Sequence, residues 1–88
     1  VNEATLIEAA KQFKADADTY AATQQTMDDL ELDVKLAVRA GFPPAAAEQA
    51  RDDYRSRNWA PSYRARAVAA RALCAEIGVS VADLKYAL

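Results

Sequence analysis

An all-α fold, one long N-terminal helix followed by a cluster of three short helices, is what the 88-residue sequence predicts, and three features carry that expectation. Alanine, the strongest helix former, fills 22 positions, with only two glycines and three prolines to interrupt it. Residues 3–40 contain neither glycine nor proline, and large side chains recur there every seven residues, at Leu6, Phe13, Tyr20, Met27 and Val34. Helix-stopping chemistry is confined to short stretches: "AGFPP" at 40–44, "NWAP" at 58–61 and "IGVS" at 77–80.

The first helix, within 1–40, starts behind Asn2, whose side chain suits an N-cap. It stops at Gly41, a residue for the left-handed cap position, with Phe42 packing back and Pro43 and Pro44 forbidding continuation. Ala10, Ala17, Gln24, Glu31 and Val38 fill the intermediate row of the seven-residue stripe, and Ala9, Leu30 and Ala37 widen it. A straight helix of about 38 residues is roughly 57 Å long. A compact chain of this length has a radius of gyration of about 12 Å, so the helix overhangs its own fold and something must cover it. Two solutions are open. The helix breaks near residues 24–29, where Thr26 caps a new start, or it stays whole and pairs with a copy of itself through Leu6, Phe13, Tyr20, Met27 and Val34. The stripe keeps its phase through 24–29, which favours the second solution and a homodimer.

Three shorter helices are expected after the double proline. Residues 44–57 carry a stripe of Ala47, Ala50 and Tyr54, with Pro44 in the first turn. Asn58 to Ala60 reads as a turn, and Pro61 or Ser62 opens a helix over 61–77 bearing Tyr63, Ala67, Ala70, Leu73, Cys74 and Ile77. Gly78 stops it, and Ser80 caps a last helix over 80–88 with Asp83 three residues on. The whole chain is thus one helical domain.

Composition narrows the chemistry. Leu, Ile, Val and Phe together number only 17, so the core is thin and self-association is an expected supplement. Histidine is absent and Cys74 is the one cysteine, which removes the usual zinc sets, an internal disulfide and a histidine base. Ser56, Ser62 and Ser80 lack an activating partner, and the carboxylate pair Asp29 and Asp33 lacks a phosphate-cradling loop. No enzymatic activity and no cofactor are therefore expected. The lone cysteine suits a reducing compartment, and no charged segment followed by an apolar run marks a signal peptide or membrane span, so a cytoplasmic location is expected. The preference for alanine and arginine fits a GC-rich bacterial or phage genome.

Charge is unevenly divided. Residues 1–40 hold eight acids and four bases, and residues 41–88 five acids and seven bases. Within 51–71, six arginines stand against Asp52 and Asp53, interleaved with Tyr54, Trp59 and Tyr63. Arginine and aromatic side chains dominate protein interfaces, so Arg55, Arg57, Trp59, Tyr63, Arg64 and Arg66 are the candidate contact surface for a protein partner. The rings have a structural alternative, supplying buried area at a helix corner in an alanine-rich core. An isoelectric point near 5.0 disfavours nucleic acid as the ligand.

The last nineteen residues, "ARALCAEIGVSVADLKYAL", run through Leu73, the small Cys74, Ile77, Gly78 in a turn, Val79, a capping Ser80 and an inward Leu84. This pattern resembles the helix-turn-helix motif of DNA-binding regulators, over residues 70–88. The resemblance implies a reading helix in the major groove, with Ser80, Val81, Ala82 and Lys85 at the DNA. The leading expectation is a non-enzymatic helical protein that binds a protein partner as regulator, inhibitor or adaptor. A DNA-binding regulator is the alternative.

Overall fold

The computed structural model describes residues 2–83, and among them there are no strands. Helix α1 spans Glu3–Arg39, α2 spans Ala45–Tyr54 and α3 spans Ala60–Ile77, with a π-helical turn at Arg55–Trp59 between the last two. No residue separates α2, the π turn and α3, so residues 45–77 form one joined helix of 33 residues. This corrects the expectation of separate short helices at 44–57 and 61–77. The joined helix runs back antiparallel along α1: Glu76 meets Thr5 at 3.0 Å at one end, and Arg55 meets Glu31 at 3.2 Å toward the other. The result is a helical hairpin of 58 × 22 × 14 Å with a radius of gyration of 17.3 Å.

Helix α1 is unbroken. Its polar middle, "TQQTMDD", satisfies its own side chains along the helix instead of capping a new one. Thr26 Oγ1 donates back to the Ala22 carbonyl, Gln24 reaches Asp28 at 3.0 Å and Gln25 reaches Asp29 at 3.3 Å. Such i,i+4 amide–carboxylate pairs support a helix by about 0.2–0.5 kcal/mol each. The ends follow the sequence. Asn2 Oδ1 accepts from the Ala4 N–H at 2.9 Å. Gly41, at φ 78°, lets its own N–H reach Val38 and that of Phe42 reach Ala37. The Phe42 ring does not pack back, since the residue is 68% exposed.

The seven-residue stripe faces the returning helix, not a second copy. Leu6, Ala9 and Phe13 pack against Ala70, Leu73 and Cys74; Tyr20 meets Trp59 and Tyr63; Met27 is 5% exposed and Val34 half-buried. The overhang that asked for a partner copy is covered by the chain's own 33-residue helix, which packs on the stripe expected to mediate self-association. The covered face of α1 runs through Leu6, Ala9, Phe13, Asp16, Tyr20, Thr23, Met27, Leu30, Val34 and Ala37 in alternating steps of three and four, flanked by the part-buried Ala17, Gln24, Thr26 and Glu31.

Facing it, one row of covered positions runs through Ala47, Arg51 and Tyr54, then Trp59, Ser62, Arg66, Ala69, Leu73 and Glu76, with Ala70 and Cys74 buried beside it. Every step is three or four except the one from Tyr54 to Trp59, which is five. The π turn absorbs that extra residue: the Ala60 N–H bonds the Arg55 carbonyl five residues back, so the covered face stays aimed at α1. Pro61, which has no N–H, sits in the first turn of α3 where the ladder returns to α spacing. The proline expected to open a separate helix thus lies within a continuous one.

Gly78 ends α3 at φ 75°, and Val79 donates to Cys74 at 3.2 Å. Ser80 and Asp83 then exchange capping bonds, Asp83 N–H to Ser80 Oγ at 3.2 Å and Ser80 N–H to Asp83 Oδ2 at 3.4 Å. Most of the expected last helix, 80–88, lies outside the described residues, as do Leu84 and Lys85. Among the described residues no helix is long and apolar enough to cross a membrane.

Candidate functional site

The arginine and aromatic corner lies where the π turn meets the middle of α1, and most of it is engaged within the chain. Trp59 and Tyr63 stack with ring centres 5.5 Å apart, and Tyr20 tilts against both at 6.1 and 5.9 Å. Gln24 Oε1 accepts from Trp59 Nε1 at 2.9 Å and from the Tyr20 hydroxyl at 3.2 Å. The Arg66 guanidinium lies over the Tyr20 ring at 4.0 Å, a cation–π contact on a half-buried face. Beside them Thr23 and Ser62 share a hydrogen bond at 2.7 Å, while Ser62 Oγ donates to the Trp59 carbonyl at 2.8 Å. These contacts join α1 to the end of the π turn and the first turns of α3.

Electrostatics fix the neighbouring turn. Glu31 on α1 takes Arg55 at 3.2 Å and Arg51 at 3.9 Å, and Asp52 takes Arg51 at 3.0 Å and Arg55 at 3.7 Å. The hydrogen bond that Arg51 donates to Asp52, aided by the charges of Asp52, Glu31 and Glu48, holds the Arg51 guanidinium above its ordinary range, so it is cationic at any working pH. A shallow cleft of about 210 Å³ opens here between Gln24, Met27, Asp28, Glu31, Arg55 and Trp59.

Of the residues named as a contact surface, Arg55, Trp59 and Arg66 therefore serve the hairpin itself. Tyr63 is split: one face stacks on Trp59, and 46% of the residue remains exposed. Arg57 and Arg64 are exposed and have no carboxylate partner among the described residues. Ser80 is engaged in its capping pair, while Val81 and Ala82 are exposed. Cys74 is buried at 4% exposure in the core cluster, and no group of three or more metal-ligand side chains occurs among the described residues.

A surface that the sequence reading passed over lies at the turn end of α1. Leu32, Leu36, Val38 and Phe42 are each more than half exposed, and Lys35 and Arg39 stand among them. Leu32, Val34, Lys35, Leu36, Val38 and Arg39 line a shallow depression of about 410 Å³. The signal was present: Leu32 and Leu36 are one turn apart and lie outside the seven-residue stripe, so a single inward face cannot hold them.

Fold and surface together define an antiparallel helical hairpin, locked at its middle by an aromatic cluster and bearing an apolar, cation-rimmed patch at its turn. No family model, no curated protein and no solved structure matches this chain.

Proposed function

We propose that the chain is a non-enzymatic helical protein that acts by binding a protein partner, as a regulator, inhibitor or adaptor. The observation that carries this reading is the patch of Leu32, Leu36, Val38 and Phe42 at the hairpin's turn, with Phe42 at 68% exposure. Large apolar side chains gathered at the surface, where the buried core among the described residues is only Met27, Ala69, Ala70, Leu73 and Cys74, support an interaction site. Lys35 and Arg39 at its rim select a partner that presents an apolar surface edged by carboxylates. The contact surface thereby moves from the aromatic corner to the turn end.

The test is affinity capture from host extract with the native chain and with Leu36→Glu/Phe42→Glu, both positions being exposed enough for the fold to survive. A protein retained at stoichiometric level by the native chain and lost with the variant supports the reading. Equal retention by both removes the patch as the site. A native chain that retains no protein, but binds duplex DNA with an affinity falling steeply with salt, replaces the reading by the DNA-binding one.

A further inference from the structure

The two outward faces of the hairpin complement each other in charge and in relief. On α1 the residues farthest from the returning helix are Ala15, Asp18, Ala22, Gln25 and Asp29, in steps of three and four, and all are exposed. On α3 the corresponding outward row is Pro61, Arg64, Val68, Arg71 and Ala75, in the same steps and likewise all exposed. One row combines small side chains with aspartate, the other small or branched apolar side chains with arginine. Arg64 and Arg71 have no carboxylate partner among the described residues. On the other row, Asp18 meets only Lys14, at 3.4 Å in a highly exposed pair, and Asp29 only the Gln25 amide. Exposed pairs of that kind are worth little and give way readily.

We infer that these faces pair between copies of this chain, α1 of one hairpin against α3 of the next. Asp18 and Asp29 span about 16 Å along the helix axis and Arg64 and Arg71 about 10 Å. Antiparallel and centred, the arginines fall inside the aspartates, each guanidinium displaced by about 3 Å along the axis from a carboxylate, within reach of an arginine side chain. Small residues between the charges let the two helices approach closely. The accessible surface also leaves room for such a contact: the chain exposes 6184 Å², against about 5,000 Å² for a compact chain of 9.5 kDa. The excess, about 1,100 Å², covers one such face at the roughly 800 Å² that each partner contributes to a standard interface, the share of a copy at the end of a stack.

The two faces are different surfaces on opposite sides of the hairpin, so the contact is heterologous and each added copy presents a fresh α1 face. Growth is open-ended, concentration-dependent and weakened by salt. This contact is separate from the turn-end patch and does not rest on the partner-binding reading.

Sedimentation velocity at low ionic strength tests it with two charge-reversed variants, Arg64→Glu/Arg71→Glu and Asp18→Lys/Asp29→Lys, whose helicity is checked by circular dichroism. The native chain is expected to grow in mass with concentration without reaching a fixed size. Each variant alone should self-associate at least about tenfold more weakly, and an equimolar mixture of the two should assemble again, because each supplies the oppositely charged face that the other has lost. A native chain that stays at 9.5 kDa across the concentration range, one that stops at a closed dimer, or variants that assemble unmixed as the native chain does would each overturn the inference.

Discussion

Gln24 shows how much one polar side chain does in a thin core. Its carbonyl oxygen accepts from the Trp59 indole and from the Tyr20 hydroxyl, and its amide donates to Asp28, so it ties α1 to the end of the π turn through Trp59 while bracing Tyr20 on its own helix. Gln24→Leu keeps the side-chain volume but leaves both part-buried donors without their acceptor. The expected cost is about 1–3 kcal/mol, read as a lower urea midpoint with the slope unchanged. Arg66 acts differently, covering the Tyr20 ring with its guanidinium, and Arg66→Lys removes the planar stack while keeping the charge. A loss of about 0.5–1 kcal/mol is expected there, and no loss would show that the stacking carries no stability. Sequence reading placed Trp59 and Tyr63 correctly at a packing corner but missed Gln24. An amide reads as an interruption of an apolar row, and its value becomes visible only when the donors across the interface are known.

At the scale of the elements, the π turn is what makes α2 and α3 one helix with one inward face. The five-residue step from Tyr54 to Trp59 stands among steps of three and four, and the extra residue would otherwise turn every later side chain by about 100°. Inserting an alanine after Asn58, which is exposed, adds a residue beyond the one the π turn absorbs and brings Pro61, Ala65, Val68 and Ala72 toward α1 in place of Ser62, Arg66, Ala69 and Leu73. Such an insertion is expected to lose most of the hairpin's stability, seen as a large drop in thermal midpoint and a red shift of the Trp59 emission. Pro61→Ala, by contrast, restores a backbone donor without changing the register and should leave the midpoint within about 1 kcal/mol of native. A midpoint as low as the insertion's would show that the proline, and not the register, sustains the turn. The seven-residue row on α1 was legible because its period is long and unbroken, but a period says that a face is covered, not what covers it. The cover came from residues 45–77 because Asn58 and Pro61, which favour turns locally, are overruled by continuous packing on both sides.

The whole hairpin has length without depth, at 58 Å long and 14 Å thick, so no side chain in it is far from water. Even its core cluster of Ala70, Leu73 and Cys74 leaves the packed Leu6, Ala9 and Phe13 partly exposed. Heat-capacity change on unfolding follows the apolar area that becomes exposed, and an ordinary domain of this length gives about 1.1–1.3 kcal/mol/K at about 12–15 cal/mol/K per residue. In this chain the buried apolar side chains are Met27, Leu73, Cys74 and two alanines, while Leu32, Leu36, Val38 and Phe42 already meet solvent in the folded state. Those four residues add little when the chain unfolds, so the change for the dilute monomer at high salt is expected below about 1 kcal/mol/K. A shallow stability curve and a broad thermal transition follow from the same cause. Under conditions where copies stack, the outward apolar side chains become part of what unfolding exposes, and the heat-capacity change must rise with concentration. Calorimetry of the native chain beside Arg64→Glu/Arg71→Glu separates the two contributions. The variant should keep the low value at every concentration, and a value of about 1.2 kcal/mol/K in the isolated monomer would mean that the hairpin buries an apolar face in solution that it leaves exposed in this structure.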